Sequence, residues 1–161
     1  MSRTLSPAWL MAAIVLLAIV LALVPLPSVL APLRPYWLAL VVAYWVLEAP
    51  ERAGLGFAFA CGLLADLAHG AVLGDHALRL VILAFILDRF RTRLRFFPVW
   101  QQALAMLALL LNDRIVAGLL HLMLGLPQVA PAHWIAPLAG ALMWGPVFVM
   151  LDALRLRRRR G

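Results

Sequence analysis

The sequence predicts an all-α, polytopic membrane protein, a six-transmembrane-helix bundle that forms a single integral membrane domain over residues 1–161. Hydrophobic residues make up 66% of the chain and charged residues only 13%, whereas soluble domains are about half apolar and a quarter charged. The mean hydropathy of +1.00 agrees with this composition. The apolar residues also fall into runs separated by proline, glycine and arginine, which are the usual boundary signals of helices.

Proline and glycine set the predicted helix ends. Pro25 and Pro27 end the first apolar run, which we interpret as a retained span instead of a signal peptide. Pro35 suits the first position of the second helix, and Pro50 stops it. The fifth helix is long, and the polar residues Asn112-Asp113-Arg114 interrupt its apolar sequence. The six predicted helices cover residues 8–24, 35–49, 53–68, 76–90, 98–124 and 137–154.

The second predicted helix is shorter than the roughly 20 residues that a straight span needs. This indicates either local thinning of the bilayer or shelter among neighbouring helices. Tyr36, Trp37, Tyr44 and Trp45 lie near its two ends, which is typical of an aromatic belt at the membrane surface.

Arginine placement predicts the topology. All 14 basic residues are arginine. With the N-terminus inside, the inner segments hold Arg3, Arg52, Arg89, Arg91, Arg93, Arg95, Arg155 and Arg157 to Arg160. The outer segments hold Arg34 alone, so the positive-inside rule favours two cytoplasmic termini.

A cytoplasmic basic loop is predicted after the fourth helix. Its members are Arg89, Arg91, Arg93, Arg95, Trp100, Gln101 and Gln102. Alternating arginine and aromatic residues suit anionic lipid headgroups, so this charge predicts no nucleic-acid partner.

Small residues form a stripe on the third helix. Gly54, Ala58, Gly62, Asp66 and Gly70 follow one another at i, i+4 spacing and therefore share a face. Such stripes let another helix approach closely, either within the fold or in a partner. Asp66 lies on this stripe, and a carboxylate at bilayer depth needs a partner. Asp66 either forms an interhelical hydrogen bond that fixes the packing or belongs to a ligand or partner site.

An intramembrane polar cluster is predicted in the outer half. Asp66, Arg79, Asp113 and Arg114 lie at similar depth, with His69 and His76 near the outer rim. Asp66 and Arg79 lie on consecutive helices joined by a short turn between Gly70 and Gly74, so we expect them to pair. Asp113 and Arg114 are the competing partners.

Signatures of catalysis or cofactor binding are absent from the sequence. It contains no HExxH motif and no glycine-rich loop followed by lysine, and no serine has a base nearby. The spacing of His69 and His76 does not place two metal ligands on one helix face. Cys61 is expected to be a small buried hydrophobe. We therefore predict no enzymatic activity, no cofactor and no metal.

Several segments carry a family resemblance. They are residues 34–40 (RPYWLAL), 44–47 (YWVL), 62–66 (GLLAD), 93–102 (RLRFFPVWQQ) and 138–144 (LAGALMW). Over about residues 25–155 the chain resembles MreD, the family of rod shape-determining membrane proteins. The resemblance implies a multi-pass protein of the bacterial inner membrane, with a fold similar to the substrate-binding subunits of vitamin importers.

The resemblance also implies a function. It is a non-enzymatic scaffold of the cell-elongation machinery, working with an MreC-type single-span protein, actin-like MreB, and the transpeptidase and glycosyltransferase that build peptidoglycan. The alternative is a subunit that binds or transports a small molecule or lipid intermediate. An outward pocket lined by Asp66 and Arg79 favours the alternative. A cluster filled by its own side chains beside an exposed Gly/Ala groove favours the scaffold.

Overall fold

The computed structural model describes residues 7–157, and this part of the chain is all helical, which confirms the predicted class. Six α-helices occur there: α1 Pro7–Leu23, α2 Trp37–Glu48, α3 Leu55–His69, α4 Asp75–Leu94, α5 Val99–Met123 and α6 Ala136–Arg157. Two 3-10 turns, Ala31–Leu33 and Pro131–Ile135, lie in the linkers. Two helical segments are long and apolar enough to cross a membrane, Val99–Met123 and Pro131–Arg157, while α1 and α3 are apolar but shorter.

Helix ends follow the chemistry of the boundary residues. Gly70 adopts a left-handed φ of 62° and ends α3, a conformation that glycine adopts without a steric penalty. Pro98 lies just before α5. The largest error in the predicted bounds is at α4, which continues to Leu94 because arginine is a good helix former. Helix α5 runs through the polar residues 112–114 without a break.

The short helix α2 is the centre of the bundle. Every residue from Leu38 to Leu47 is buried, with α1, α4 and α6 packed around it. A helix that is apolar on all sides is expected in a core, so its 12 residues are sheltered by neighbouring helices. The aromatic-belt interpretation is wrong for Tyr44 and Trp45, which are 0% and 3% exposed.

The bundle has two ends of different character. At the cavity end, α1, α3 and α5 finish while α2, α4 and α6 begin, so Tyr36, His69, His76, Arg114 and His133 line one space. At the arginine end, Glu48 of α2 lies close to two arginines. One is Arg95, directly after α4, and the other is Arg155 of α6. Four arginines that are predicted to lie on the cytoplasmic side are outside the described residues: Arg3 and Arg158 to Arg160.

Candidate functional site

Asp66 links α3 to the start of α4. Its side chain is 0% exposed. Oδ2 accepts a hydrogen bond from the backbone N–H of Gly74 (2.8 Å), and Oδ1 accepts from the backbone N–H of His76 (2.9 Å). The first N–H groups of a helix lack intrahelical partners, and the helix dipole favours a negative charge there. Asp66 therefore caps the neighbouring helix, and its contacts are those of an interhelical hydrogen bond that fixes the packing.

His76 completes this capping arrangement. Its Nδ1 donates to Asp66 Oδ1 at 2.8 Å, because an ionised carboxylate can only accept. The His69 ring stacks on the His76 ring at 5.3 Å between centroids. Possible ligand atoms of Asp66, Asp75 and His76 lie within 4.8 Å of one another. Since Asp66 already receives three N–H groups and His76 Nδ1 carries its proton, this donor set is used in hydrogen bonding, and we infer no metal from it.

Arg79 pairs with Asp113, and the predicted Asp66–Arg79 pair is wrong. Arg79 donates from Nε to Asp113 Oδ1 (2.9 Å) and from Nη2 to Oδ2 (2.5 Å). Both side chains are buried. The Arg79 guanidinium also lies 3.5 Å from Asp75 Oδ2 and 5.3 Å from the centre of the Tyr36 ring. Asp66 is unavailable to Arg79 because the turn before α4 supplies backbone donors that occupy its oxygens.

Arg114 has a different environment from its neighbour Asp113. Among residues 7–157 it forms no ion pair and no hydrogen bond, and it lines a cavity of about 300 Å³ at the cavity end. The wall also contains Arg34, Tyr36, His76 and Arg79, and further His69 and His133. The four predicted cluster residues thus lie at one end of the bundle but have three different environments. Asp66 caps α4, Arg79 and Asp113 form a buried ion pair, and Arg114 lines the cavity. Asp66 is not part of that wall.

The centre of the small-residue stripe is used inside the chain. Ala58, Gly62 and Asp66 are buried. A Cβ built on Gly62 would lie 2.5 Å from the backbone nitrogen of Ala77 and closer still to its Cα, so α3 and α4 touch backbone to backbone. Gly54 and Gly70 flank the helix and face open space. A partner helix therefore has no access to the stripe at Gly62.

The predicted basic loop is largely helical. Arg89, Arg91 and Arg93 occupy the last turns of α4, where cations interact favourably with the helix dipole. Arg95 follows directly, and Trp100, Gln101 and Gln102 lie in the first turns of α5. Only the short turn before Pro98 is irregular.

Gln102 was predicted as a member of the basic loop, and its structural role at the arginine end was missed. Its Nε2 donates to the backbone oxygens of Leu94 (3.1 Å) and Phe97 (3.2 Å), while its Oε1 accepts from Trp144 Nε1 (3.2 Å). One buried amide thus joins the end of α4 to α5 and α6. The adjacent Gln101 is only partly buried, so the helical position distinguishes the two.

Glu48 is the second residue that sequence reasoning missed. It accepts from Arg155 Nη1 at 2.6 Å through Oε2, and its backbone oxygen accepts from Arg155 Nη2 at 3.0 Å. Arg95 Nε lies 3.8 Å from Oε1. A carboxylate just before Pro50 in a chain whose basic residues are all arginine is the signal that could have indicated it.

An apolar groove of about 1020 Å³ lies between α1 and α3. Both walls are helix faces with i, i+3, i+4, i+7 spacing. They include Ala8, Met11, Ala12 and Val15 on α1, and Phe57, Ala60, Cys61 and Leu64 on α3. The alanines are exposed while Met11, Val15 and Cys61 form the buried floor. Cys61 is thus a small buried hydrophobe, as expected.

Comparisons with known proteins agree with the family resemblance. The family described as rod shape-determining protein MreD matches residues 2–154. The rod shape-determining protein MreD of Haemophilus influenzae is 35% identical, over 86% of this chain and 86% of that protein. No solved structure matches. Both descriptions name a determinant of rod shape, and neither names a reaction. The chain belongs to the MreD family of rod shape-determining proteins.

Proposed function

We propose that this protein is a non-enzymatic scaffold of the cell-elongation machinery in the bacterial inner membrane. It spans the bilayer six times with both termini in the cytoplasm, and it binds an MreC-type single-span protein. Through that partner it connects actin-like MreB with the transpeptidase and glycosyltransferase of peptidoglycan synthesis. Family membership supports the role in cell shape.

The observation that carries partner binding is the apolar groove between α1 and α3. Its two walls present regularly spaced small and apolar side chains, and close approach of small residues is a main source of helix association in lipid. A transmembrane helix fits such a groove by packing against both walls at once. The groove replaces the small-residue stripe as the proposed partner site, because α4 covers the stripe at Gly62.

The test is co-purification from detergent with the untagged MreC-type protein of the same genome. Ala12→Leu and Ala60→Leu place bulk on the two groove walls, and both alanines are exposed, so neither change disturbs the core. Ala108→Leu is the matched control, since Ala108 is an exposed alanine on α5. We expect the groove variants to lose most of the partner while the control retains it. Equal retention in all three variants contradicts the proposal.

Cysteine labelling tests the six-span topology separately. Cys61 is 3% exposed and is replaced by alanine to provide a cysteine-free background. Single cysteines are then introduced at Arg93, at the arginine end, and at Val29, an 83% exposed residue of the α1–α2 linker. A membrane-impermeant reagent applied to intact spheroplasts is expected to label position 29 and not 93. Labelling of both positions, or of 93 alone, overturns the topology.

A second candidate function, binding of a small molecule or lipid intermediate, is favoured by the cavity. A pocket lined by both Asp66 and Arg79 was expected for this function, and the wall contains Arg79 but not Asp66. An exposed Gly/Ala groove was expected for the scaffold, and the open groove does not include the small-residue stripe of α3. Each expectation is therefore met only in part. The two functions use different surfaces and are separable by mutation.

A further inference from the structure

We propose that the cavity binds a phosphate group, carried by a lipid headgroup or free as diphosphate. The inference gives a ligand class to the second candidate function and does not depend on partner binding in the groove. It starts from the composition of the wall, where three arginines and a tyrosine face one space: Arg34, Arg79, Arg114 and Tyr36.

The carboxylates of this region do not line the cavity. Asp113 is held by Arg79, Asp66 by the turn before α4, and Asp75 lies 3.5 Å from Arg79 and 3.8 Å from His76. None of the three lines the cavity. The space therefore presents hydrogen-bond donors and positive charge, the pattern that recognises phosphate.

Two of the wall arginines lack a carboxylate partner within 4.0 Å among residues 7–157. Arg34 donates from Nη1 to Ala22 O (2.6 Å) and from Nη2 to Val24 O (2.5 Å), which fixes its guanidinium over the end of α1. Arg114 forms no ion pair in the described part of the chain. Positive charge away from bulk water is unfavourable unless it is compensated, and an anion in the cavity would supply the compensation.

Buried polar atoms of the same wall are also unsatisfied. Within the described residues, Arg34 Nε, Tyr36 Oη and His133 Nδ1 are buried without a hydrogen-bond partner, and all three side chains line the cavity. Buried polar groups without partners are rare and unfavourable. These atoms are covered in the unliganded protein, so a phosphate oxygen accepts from them only after a small shift of their side chains toward the cavity.

The size and the remaining wall indicate a group with an apolar part. The volume of about 300 Å³ is at the lower end of the range of small-molecule sites, about 300–1,000 Å³. Ile19, Ala22 and Leu38 also line the cavity and add apolar side chains to its wall. A phosphate against the donors with a non-polar portion against these residues suits both parts of the wall.

Binding is tested on the full-length protein purified in a non-ionic detergent. Inorganic diphosphate is titrated at constant ionic strength, and the thermal-unfolding midpoint and the dissociation constant are recorded. In parallel, protein reconstituted with equal phosphatidylglycerol and phosphatidylcholine is analysed by native mass spectrometry for retained lipid. The variants are Arg114→Gln and Tyr36→Phe, and the control is Arg93→Gln, which removes the same charge from an exposed position.

We expect wild-type protein to bind diphosphate, or to retain phosphatidylglycerol over phosphatidylcholine. The first result assigns free diphosphate and the second a lipid headgroup. Arg114→Gln should weaken binding about tenfold and Tyr36→Phe about threefold, with no change in Arg93→Gln. The proposal is overturned if folded wild type binds neither probe, or if Arg93→Gln weakens binding as much as Arg114→Gln. If Arg114→Gln does not fold, Tyr36→Phe decides, and unchanged affinity refutes the site.

Discussion

The two ends of the bundle both contain arginine, and they compensate it differently. At the arginine end, Glu48 binds Arg155 at 2.6 Å and faces Arg95 at 3.8 Å, while Gln102 and Trp144 fill the interior. At the cavity end, Arg79 has a buried carboxylate, but Arg34 and Arg114 face a space of about 300 Å³.

This difference shows that the number of arginines at an end does not determine their role. The many arginines of the arginine end are mostly exposed, and their charge is a property of the surface. Arg34 and Arg114 are partly buried, so their charge must be met by specific groups. The groups that neutralise each arginine, and not the number of arginines, therefore distinguish the arginine end from the cavity end as a candidate binding site.

The largest expected effect is that of breaking the buried pair at the cavity end. Asp113→Asn leaves Arg79 buried without its bidentate partner, which should lower the free energy of unfolding by about 3–5 kcal/mol. The nearby Asp75 favours the lower value. The double variant Arg79→Gln/Asp113→Asn should lose less than the sum of the single changes. Reversible unfolding in detergent measures all four proteins, and strictly additive losses contradict the pairing.

The next effect separates two glycines of α3. Gly62→Ala forces a methyl group against the Ala77 backbone, and overpacking of this kind costs about 3 kcal/mol or less. Gly56→Ala adds the same group in open space and should stabilise the helix by roughly 0.5–1 kcal/mol. The two identical changes are therefore expected to shift the unfolding midpoint in opposite directions. Equal shifts would show that α3 and α4 do not touch at Gly62.

Helix positions could be predicted from the sequence because proline and glycine mark the boundaries directly. Pro25 and Pro27 follow α1, and Gly70 and Gly74 bracket the turn before α4. The C-terminal end of α4 was missed because its arginines alternate with apolar residues, a pattern that suits a surface loop and a helix end equally. The central place of α2 was predictable in part, since a short helix without a polar face is expected in a core.

The partners of the polar residues could not be predicted from side-chain types. Asp66 was assigned to Arg79 because both are charged and near in sequence, but its donors are two backbone N–H groups and a histidine. A backbone group has no sequence signature. The same reason hides Gln102, two of whose three hydrogen bonds join backbone oxygens. The walls of the cavity could not be predicted either, because they come from five helices and from the linkers before α2 and α6.

A smaller effect is expected at the arginine end. Gln102→Leu keeps the volume but removes three hydrogen bonds, leaving Trp144 Nε1 without its acceptor. Loss of buried hydrogen-bond partners costs about 1–3 kcal/mol. Gln101→Leu is the control, because that side chain forms no hydrogen bond within residues 7–157. Unfolding of the two variants should differ by this amount, and equal stability would remove Gln102 from the packing of this end.

The smallest effect is expected at Glu48, and it tests the comparison between the ends most directly. The side chains of Glu48 and Arg155 are 15% and 20% exposed, so their ion pair is partly hydrated. Glu48→Gln should lower the free energy of unfolding by about 1 kcal/mol. Solvent-accessible pairs are screened by salt, with a Debye length of about 3 Å at 1 M, so this difference should shrink in 1 M sodium chloride. The loss in Asp113→Asn should persist in the same salt, because that pair is buried. If salt abolishes both losses, or neither, the ion pairs of the two ends respond to salt in the same way, and the distinction between a partly hydrated pair at the arginine end and a buried pair at the cavity end fails.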